Sequence, residues 1–204
     1  MAGRFITIEG IEGVGKTTNV EFIADFFRKR GEVVRVTREP GGTELAERIR
    51  ALILETPREG LSDTGELLLM FAARAEHLHS LIRPALEQGE TVICDRFTDA
   101  TYAYQGGGRG MSYTAIGTLQ TLVQGDLQPD LTILLDADAA VSAERIAGRD
   151  WKDRFEQERA EFFGRVRDSY LKLAADNPQR IKRVDASQPL MQVQAQIQKV
   201  LEEL

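Results

Sequence analysis

A short segment near the N-terminus combines glycine, lysine and threonine in a spacing that suits phosphate binding. Gly10-Ile11-Glu12-Gly13-Val14-Gly15-Lys16-Thr17 fits the pattern G-x-x-x-x-G-K-[ST]. Glycines let backbone N–H groups converge on phosphate oxygens, and the positive end of a following helix points at the same oxygens. We expect Lys16 to reach the β and γ phosphates of a nucleotide and the Thr17 hydroxyl to bind Mg²⁺.

Arginines at the ends of two predicted strands suit a second anion. Arg38 follows the second strand and Arg96 follows the third, and the planar guanidinium donates hydrogen bonds to phosphate in pairs. Phe71 and Arg74 lie three residues apart in a helical segment, so they are neighbours on its surface. They can stack on a base and bind its edge or phosphate; the alternative is a core phenylalanine beside a solvated arginine.

Alternating strands and helices position these groups. Apolar runs predict five strands, at residues 5–8, 33–37, 91–94, 131–135 and 181–184. Helical periodicity predicts helices at residues 16–30, 45–54, 67–82, 112–124, 141–147, 162–173 and 189–204. Asp63 and Glu66 resemble a capping box, Ser112 is a candidate cap, and residues 106–108 are predicted to form a loop. The alternation predicts an α/β fold with a parallel sheet covered by helices, in one domain spanning residues 1–204.

Composition narrows the function classes. The 204 residues carry a net charge of −6, which disfavours binding to a nucleic-acid polymer. One cysteine, Cys94, excludes an intramolecular disulfide and suits a reducing compartment. With no signal peptide visible and no apolar run of about 18 residues, we expect a cytoplasmic protein without a membrane span.

The phosphate-binding pattern alone allows nucleotide-dependent switches, motors and kinases. The Asn-Lys-x-Asp segment that reads guanine in common GTPases is absent, because neither asparagine, Asn19 or Asn177, begins one. A second anion pocket favours a small kinase. Within kinases, a nucleotide or a free deoxynucleoside remains open as the acceptor at this stage.

Seven ordered segments resemble the bacterial type of the thymidylate kinase family almost end to end. They are residues 8–18 (IEGIEGVGKTT), 37–43 (TREPGGT), 69–74 (LMFAAR), 95–97 (DRF), 104–110 (YQGGGRG), 129–132 (PDLT) and 153–156 (DRFE). The resemblance implies a three-layer P-loop nucleoside-monophosphate-kinase fold, with a five-stranded parallel sheet flanked by helices and a mobile flap at about residues 148–156. It implies transfer of the γ-phosphoryl of ATP to dTMP with Mg²⁺, by a homodimer formed through the long helices that begin near Asp63 and Ser112.

By the same resemblance, one group of residues binds ATP and another holds dTMP. The ATP group is Gly10, Ile11, Glu12, Gly13, Val14, Gly15, Lys16, Thr17 and Thr18. For dTMP, Glu12 approaches the 3′-hydroxyl, Arg38 and Arg96 grip the phosphate, and Tyr104 stands against the 2′ carbon of the sugar. Phe71 is expected to stack on thymine and Arg74 to bond its carbonyl edge, with Thr101 and Gln105 near the base and sugar.

The resemblance implies a catalytic arginine either in the phosphate-binding segment or in the flap, and it is expected in the flap because the segment contains none. Arg149 is the first candidate and Arg154 the second, acting with Lys16 and Arg96. Asp153 and Glu156 of the flap are predicted substrate contacts. The metal is assigned to Thr17, with Glu9 and Asp95 as possible partners of the ion or its waters.

Overall fold

The computed structural model describes residues 3–138, 141–142, 145, 155, 158 and 160–204. Its centre is a parallel sheet of five strands in the order β2-β3-β1-β4-β5. The strands are β1 Phe5–Glu9, β2 Val34–Arg38, β3 Thr91–Asp95, β4 Leu131–Asp136 and β5 Ile181–Asp185. The predicted five-stranded parallel sheet is therefore confirmed, with strand ends within one residue of the sequence pattern.

Helices cover both faces of this sheet. They are α1 Lys16–Lys29, α2 Glu44–Glu55, α3 Asp63–His77, α4 Arg83–Glu87, α5 Thr98–Thr101, α6 Tyr113–Gln124, α7 Ala160–Asp176 and α8 Leu190–Glu202. A 3₁₀ turn spans Arg58–Gly60, and π-helical segments span Leu78–Ile82 and Tyr102–Gly108. Phe5 packs with Leu78 in one buried cluster, whereas the next residue, Ile6, packs with Ile23 and Phe27 in another. Successive residues of β1 thus enter cores on opposite faces, which makes three layers.

The strand register brings chemically active residues to one edge. Arg38 pairs with Asp95, and Asp95 pairs with Ile8 on the other side, so β1, β2 and β3 finish together. Ligands of open parallel sheets bind beyond the carboxyl ends of the strands. The turns that follow these three strands are where the predicted site residues lie.

Two local predictions were wrong. The helix from Asp63 is capped by Ser62, whose hydroxyl accepts from the Gly65 N–H at 3.1 Å, because the residue before the helix is the one with the extended backbone that capping requires. Residues 106–108 are not a loop but the end of the π-helical segment. Ser112 does occupy the cap position of α6, without a capping hydrogen bond from its side chain.

Candidate active site

The predicted phosphate-binding turn joins β1 to α1. Gly10, Gly13 and Gly15 all adopt positive φ angles, of 137°, 79° and 89°, a region that residues with a Cβ enter only at a cost. The Lys16 ammonium donates to the carbonyls of Gly10 at 3.1 Å and Ile11 at 2.9 Å. Burial, followed by the nearby Arg96, lowers the pKa of Lys16 to about 8. At neutral pH the turn therefore holds a cation beside backbone groups that are shaped for an anion.

A pocket opens next to this turn, at the carboxyl edge of the sheet. Its empty volume is about 580 Å³, including space open to solvent, which is within the range of small-molecule sites. Six of the predicted acceptor residues line it: Glu12, Arg74, Arg96, Thr101, Tyr104 and Gln105. The structure thus brings together side chains that are up to 93 positions apart in the chain.

Glu12 joins the phosphate-binding turn to the pocket. Its carboxylate accepts from Arg96 Nη2 at 2.9 Å and from the Tyr104 hydroxyl at 2.7 Å. Arg96 also lies 4.7 Å above the Tyr104 ring, in a cation–π contact. The Arg96 backbone has φ 71°, the only positive φ outside glycine among the described residues. A non-glycine residue in this region is costly and is found where a site demands a particular direction of the side chain.

Arg74 also lines the pocket and is only 3% exposed. Its Nε donates to Glu39 at 2.7 Å, and its Nη2 donates to the Phe97 carbonyl at 3.2 Å and to Thr101 Oγ1 at 3.0 Å. Its Nη1 is buried and has no hydrogen-bond partner within the described part of the chain. Buried donors are normally satisfied, and this unsatisfied one belongs to a side chain that lines the pocket.

The structure corrects the prediction for Phe71. Phe71 is 2% exposed and packs with Leu67 and Ile116 in a core cluster of its own, and it does not line the pocket. The residue of α3 that lines the pocket with Arg74 is half-buried Met70. A helix turns 100° per residue, so positions four apart share a face as well as positions three apart. Met70 is four residues before Arg74 and takes the pocket side.

Tyr104 and Gln105 are carried by the π-helical segment, which packs closely on α7. A Cβ added to Gly107 would lie 2.6 Å from Ser169 Cβ and 3.0 Å from the Arg165 carbonyl oxygen. Only glycine allows that approach. Gln105 is buried, and its Nε2 donates to Glu66 at 2.8 Å, which holds the amide at the pocket wall.

Arg38 lies at the end of β2 but not in the pocket lining. Its side chain is half-exposed, and its Nη2 donates to Glu47 Oε2 at 2.9 Å. Glu47 also accepts from the Gly42 N–H at 2.8 Å. In this arrangement Arg38 is bonded to α2 and does not line the pocket.

The predicted metal residues lie in three different surroundings. Thr17 is exposed at the start of α1. Asp95 Oδ1 is buried and lacks a hydrogen-bond partner among residues the structure describes. Glu9 is fully buried and accepts from the Phe97 N–H and the Tyr170 hydroxyl, each at 2.7 Å. Burial, with a smaller effect of Asp99, raises the pKa of Glu9 to about 8.

A magnesium ion that is shared with nucleotide phosphates needs only one or two protein ligands, since water fills its other positions. The exposed Thr17 hydroxyl and the unpartnered Asp95 oxygen fit that requirement. No group of three or more histidine, cysteine or acidic side chains suited to a metal occurs within the described ranges, so a metal held by protein ligands alone is not indicated there.

The predicted flap residues Arg149, Asp153, Arg154 and Glu156 lie outside the described residues. Phe155 is described; it lines the pocket, with its ring centroid 5.8 Å from that of Tyr104 in an edge-to-face contact.

Sequence reasoning missed eight pocket residues: Glu39, Pro40, Arg50, Leu54, Met70, Phe97, Ala100 and Phe155. Glu39, Met70 and Phe155 lie within segments that carried the family resemblance. The i to i+4 spacing of Met70 and Arg74 was the available signal for Met70. Glu39 and Phe155 had no comparable signal, because their side-chain directions depend on packing between distant segments.

None of the described helices is long and apolar enough to cross a membrane.

Comparison with known proteins identifies the family. The sequence profile of thymidylate kinase matches residues 8–197. The chain is similar to thymidylate kinases of Pseudomonas syringae pathovar tomato (56% identity; 100% of this chain, 97% of the relative) and Chromohalobacter salexigens (59%; 96% and 93%). Its structure is similar to the crystal structure of thymidylate kinase from Ehrlichia chaffeensis, with a TM-score of 0.80, 37% identity and 99% of each chain covered. The chain therefore belongs to the thymidylate kinase family and has the P-loop nucleoside-monophosphate-kinase fold.

Proposed function

We propose that this enzyme transfers the γ-phosphoryl group of ATP to dTMP, with ATP on residues 10–18 and dTMP in the pocket lined by Arg74 and Arg96. The observation that carries the proposal is the pair of hydrogen bonds through Glu12. This residue belongs to the phosphate-binding turn and is bonded to Arg96 at 2.9 Å. A phosphate on the turn and a phosphate on Arg96 would therefore be neighbours.

The protein's part in such a reaction is positioning and charge stabilisation, because the acceptor phosphate is already anionic. Lys16 would bind the donor phosphates and Arg96 the acceptor phosphate, with Arg38 able to join from the rim. Glu12 retains lone pairs with which to accept from the 3′-hydroxyl. Tyr104, held by Glu12 at 2.7 Å, would lie against the sugar.

Base recognition rests on Arg74 and Met70. The unpartnered Nη1 of Arg74 suits a carbonyl oxygen at the edge of a pyrimidine. Thymine presents a carbonyl where cytosine presents an amino group, and two donors facing each other would leave both unsatisfied. Met70 would supply an apolar contact to the base, with Thr101 and Gln105 completing the polar wall.

We propose Mg²⁺ as the metal, held by Thr17 and Asp95, with Glu9 behind them as a buried support. Bound there with ATP, the ion would neutralise charge on the phosphates. Arg149 is our first candidate and Arg154 our second for the arginine that stabilises the transferring group, with Asp153 and Glu156 as further contacts in a flap at about residues 148–156.

We also propose that residues 1–204 form one domain and that the enzyme is a cytoplasmic homodimer. The dimer is supported by exposed leucines on two helices that contact each other: Leu68 of α3 is 51% exposed and Leu122 of α6 is 78% exposed. Light scattering coupled to gel filtration tests it: a mass near 45 kDa is expected for two chains of 22.8 kDa each, and a monomer at micromolar concentration would contradict it.

A coupled assay of ADP release tests the reaction itself. The acceptors are dTMP, dUMP, dCMP, dGMP and thymidine, each with ATP and Mg²⁺. We expect dTMP to have the highest kcat/KM, and the Lys16→Ala variant to lose kcat much more than it raises KM for dTMP. Phosphorylation of thymidine but not of dTMP would favour a deoxynucleoside kinase. A higher kcat/KM for another monophosphate would identify that nucleotide as the acceptor.

A further inference from the structure

Four buried side chains form a continuous hydrogen-bonded chain that ends at Arg74 in the pocket lining. Thr37 Oγ1 lies 2.7 Å from His77 Nε2, and His77 Nδ1 lies 3.1 Å from Glu39 Oε1. The other carboxylate oxygen, Glu39 Oε2, accepts from Arg74 Nε at 2.7 Å. His77 is 0% exposed and the other three are 8% exposed or less. The chain connects β2 and its following loop to α3.

Hydrogen-bonding chemistry gives this chain one direction. An ionised carboxylate only accepts, so His77 Nδ1 must carry the hydrogen that points at Glu39. In the neutral ring Nε2 is then an acceptor, and it takes the hydrogen of the Thr37 hydroxyl. Each atom that takes part in the chain is then either a donor or an acceptor, and the charges of Glu39 and Arg74 compensate each other.

The carboxylate of Glu39 has no other side-chain partners among the described residues. Arg74 and His77 occupy one oxygen each, so the bond to His77 constrains the rotation of the carboxylate. The carboxylate holds the plane of the guanidinium together with the Phe97 carbonyl, Thr101 and the Phe71 and Phe97 rings, whose centroids lie 4.9 and 5.1 Å from Arg74 Cζ. The surroundings are tightly packed: a Cβ at Gly42 would lie 2.7 Å from His77 Cδ2 and 2.5 Å from Thr37 Oγ1. The plane of the guanidinium decides the direction of its unpartnered Nη1, on a residue that lines the pocket.

We propose that His77 is a positioning residue for base selection: it orients Glu39, and through Glu39 it aims Arg74 at the carbonyl edge of the acceptor base. The inference rests on the proposed function, since it assigns Arg74 to the base. It goes beyond that function by assigning specificity to a histidine that does not line the pocket.

The test compares two replacements of His77. In His77→Asn the amide N–H takes the place of Nδ1–H and can still donate to Glu39. In His77→Gln the longer side chain places its amide near Thr37, in the position of Nε2, so the donor to Glu39 is lost. We expect His77→Gln to raise the Kd for dTMP by roughly fivefold, the factor for one hydrogen bond. We expect the ratio of kcat/KM for dTMP to kcat/KM for dCMP to fall by about the same factor. His77→Asn should stay within about twofold of the parent, and KM for ATP should be unchanged in both.

A double-mutant cycle with Arg74→Lys separates positioning from general stability, because residues that act through one another are not additive. Lysine keeps a charge opposite Glu39 but loses the guanidinium fork. We expect Arg74→Lys to weaken dTMP binding, and His77→Gln to have no further effect in that background. Additive effects, or an equal loss for ATP, would overturn the proposal.

Two further outcomes are distinguishable. If Arg74→Lys weakens dTMP binding and His77→Gln does not, the role of His77 is refuted and the proposed function stands. If Arg74→Lys changes neither the affinity for dTMP nor the dTMP to dCMP ratio, Arg74 does not read the base, and the roles of both Arg74 and His77 are refuted; transfer to dTMP is then decided by the panel of acceptors alone. Should His77→Gln not fold, Thr37→Val removes the last link of the chain; we expect a two- to threefold fall in the ratio, and an unchanged ratio would overturn the proposal.

Discussion

Met70→Ala and Phe71→Leu change neighbouring residues of α3 that face different environments. Met70 lines the pocket with Arg74, whereas Phe71 is buried against Leu67 and Ile116. The first variant is expected to weaken dTMP binding with a small effect on stability. The second is expected to lower stability with a small effect on dTMP binding.

The magnitudes follow from what each change removes. Met70→Ala deletes three heavy atoms, each worth about 0.8 kcal/mol when buried. Because Met70 is at most about one-third exposed without ligand, at most about a third of that sum is available to the base, or roughly 0.8 kcal/mol, which corresponds to about fourfold in Kd. Phe71→Leu keeps an apolar side chain in a closed core, so we expect a cost of about 1.5 kcal/mol and a fall in Tm of about 3–6 °C for a chain of this size.

Calorimetric titration with dTMP and thermal unfolding measure the two effects on the same samples. Ala72→Ser is a matched control, because Ala72 is exposed on the same helix, and it should change neither quantity. The reasoning is refuted if Phe71→Leu weakens dTMP binding about fourfold and Met70→Ala leaves it unchanged, since Phe71 would then be the residue that contacts the base.

Four other predictions concern charge, packing and catalysis. Burial and a neighbouring arginine lower the pKa of Lys16 to about 8, so the affinity for ATP should fall about tenfold between pH 7 and pH 9; an affinity that is independent of pH would contradict this. Burial and a nearby carboxylate raise the pKa of Glu9 from 4.5 to about 8, so the folded state keeps a proton that the unfolded chain releases. The free energy of unfolding should therefore decline with rising pH between these values, by up to about 1.4 kcal/mol per pH unit, and Glu9→Gln should flatten the decline in urea denaturation at pH 6 and pH 8. Gly107→Ala should cost about 1–3 kcal/mol of stability, because its Cβ would meet Ser169 Cβ at 2.6 Å; wild-type stability in urea denaturation would show that α7 can move away. Arg149→Ala should lower kcat on the order of 10³-fold with little change in KM for dTMP, measured by ADP release, and full retention of kcat would remove Arg149 from the mechanism.

Local sequence patterns predicted the elements and the phosphate-binding turn. Each rests on short-range chemistry: β1 is a run of apolar residues, the turn needs glycines at positive φ, and α1 follows directly with helical periodicity. Parallel strands joined by helices leave few topologies open, because the connections are short and share one handedness. Ligands of open parallel sheets bind beyond the carboxyl ends of the strands, so the location of the site was predictable as well. The structure places Glu12 and Arg96 in a pocket at that edge.

Side-chain direction was decided by the tertiary structure. Local spacing allowed either Met70 or Phe71 to share the pocket side of the helix with Arg74. The packing of α3 against Ile116 of α6 places Phe71 in the core. The Glu39 and His77 pair joins residues 38 positions apart, and no periodicity within one helix or strand encodes such a contact. Periodicity describes which residues of one element share a face, whereas a binding pocket is made by elements that meet from distant parts of the chain. Some of its residues were therefore predictable one by one, and its geometry was not.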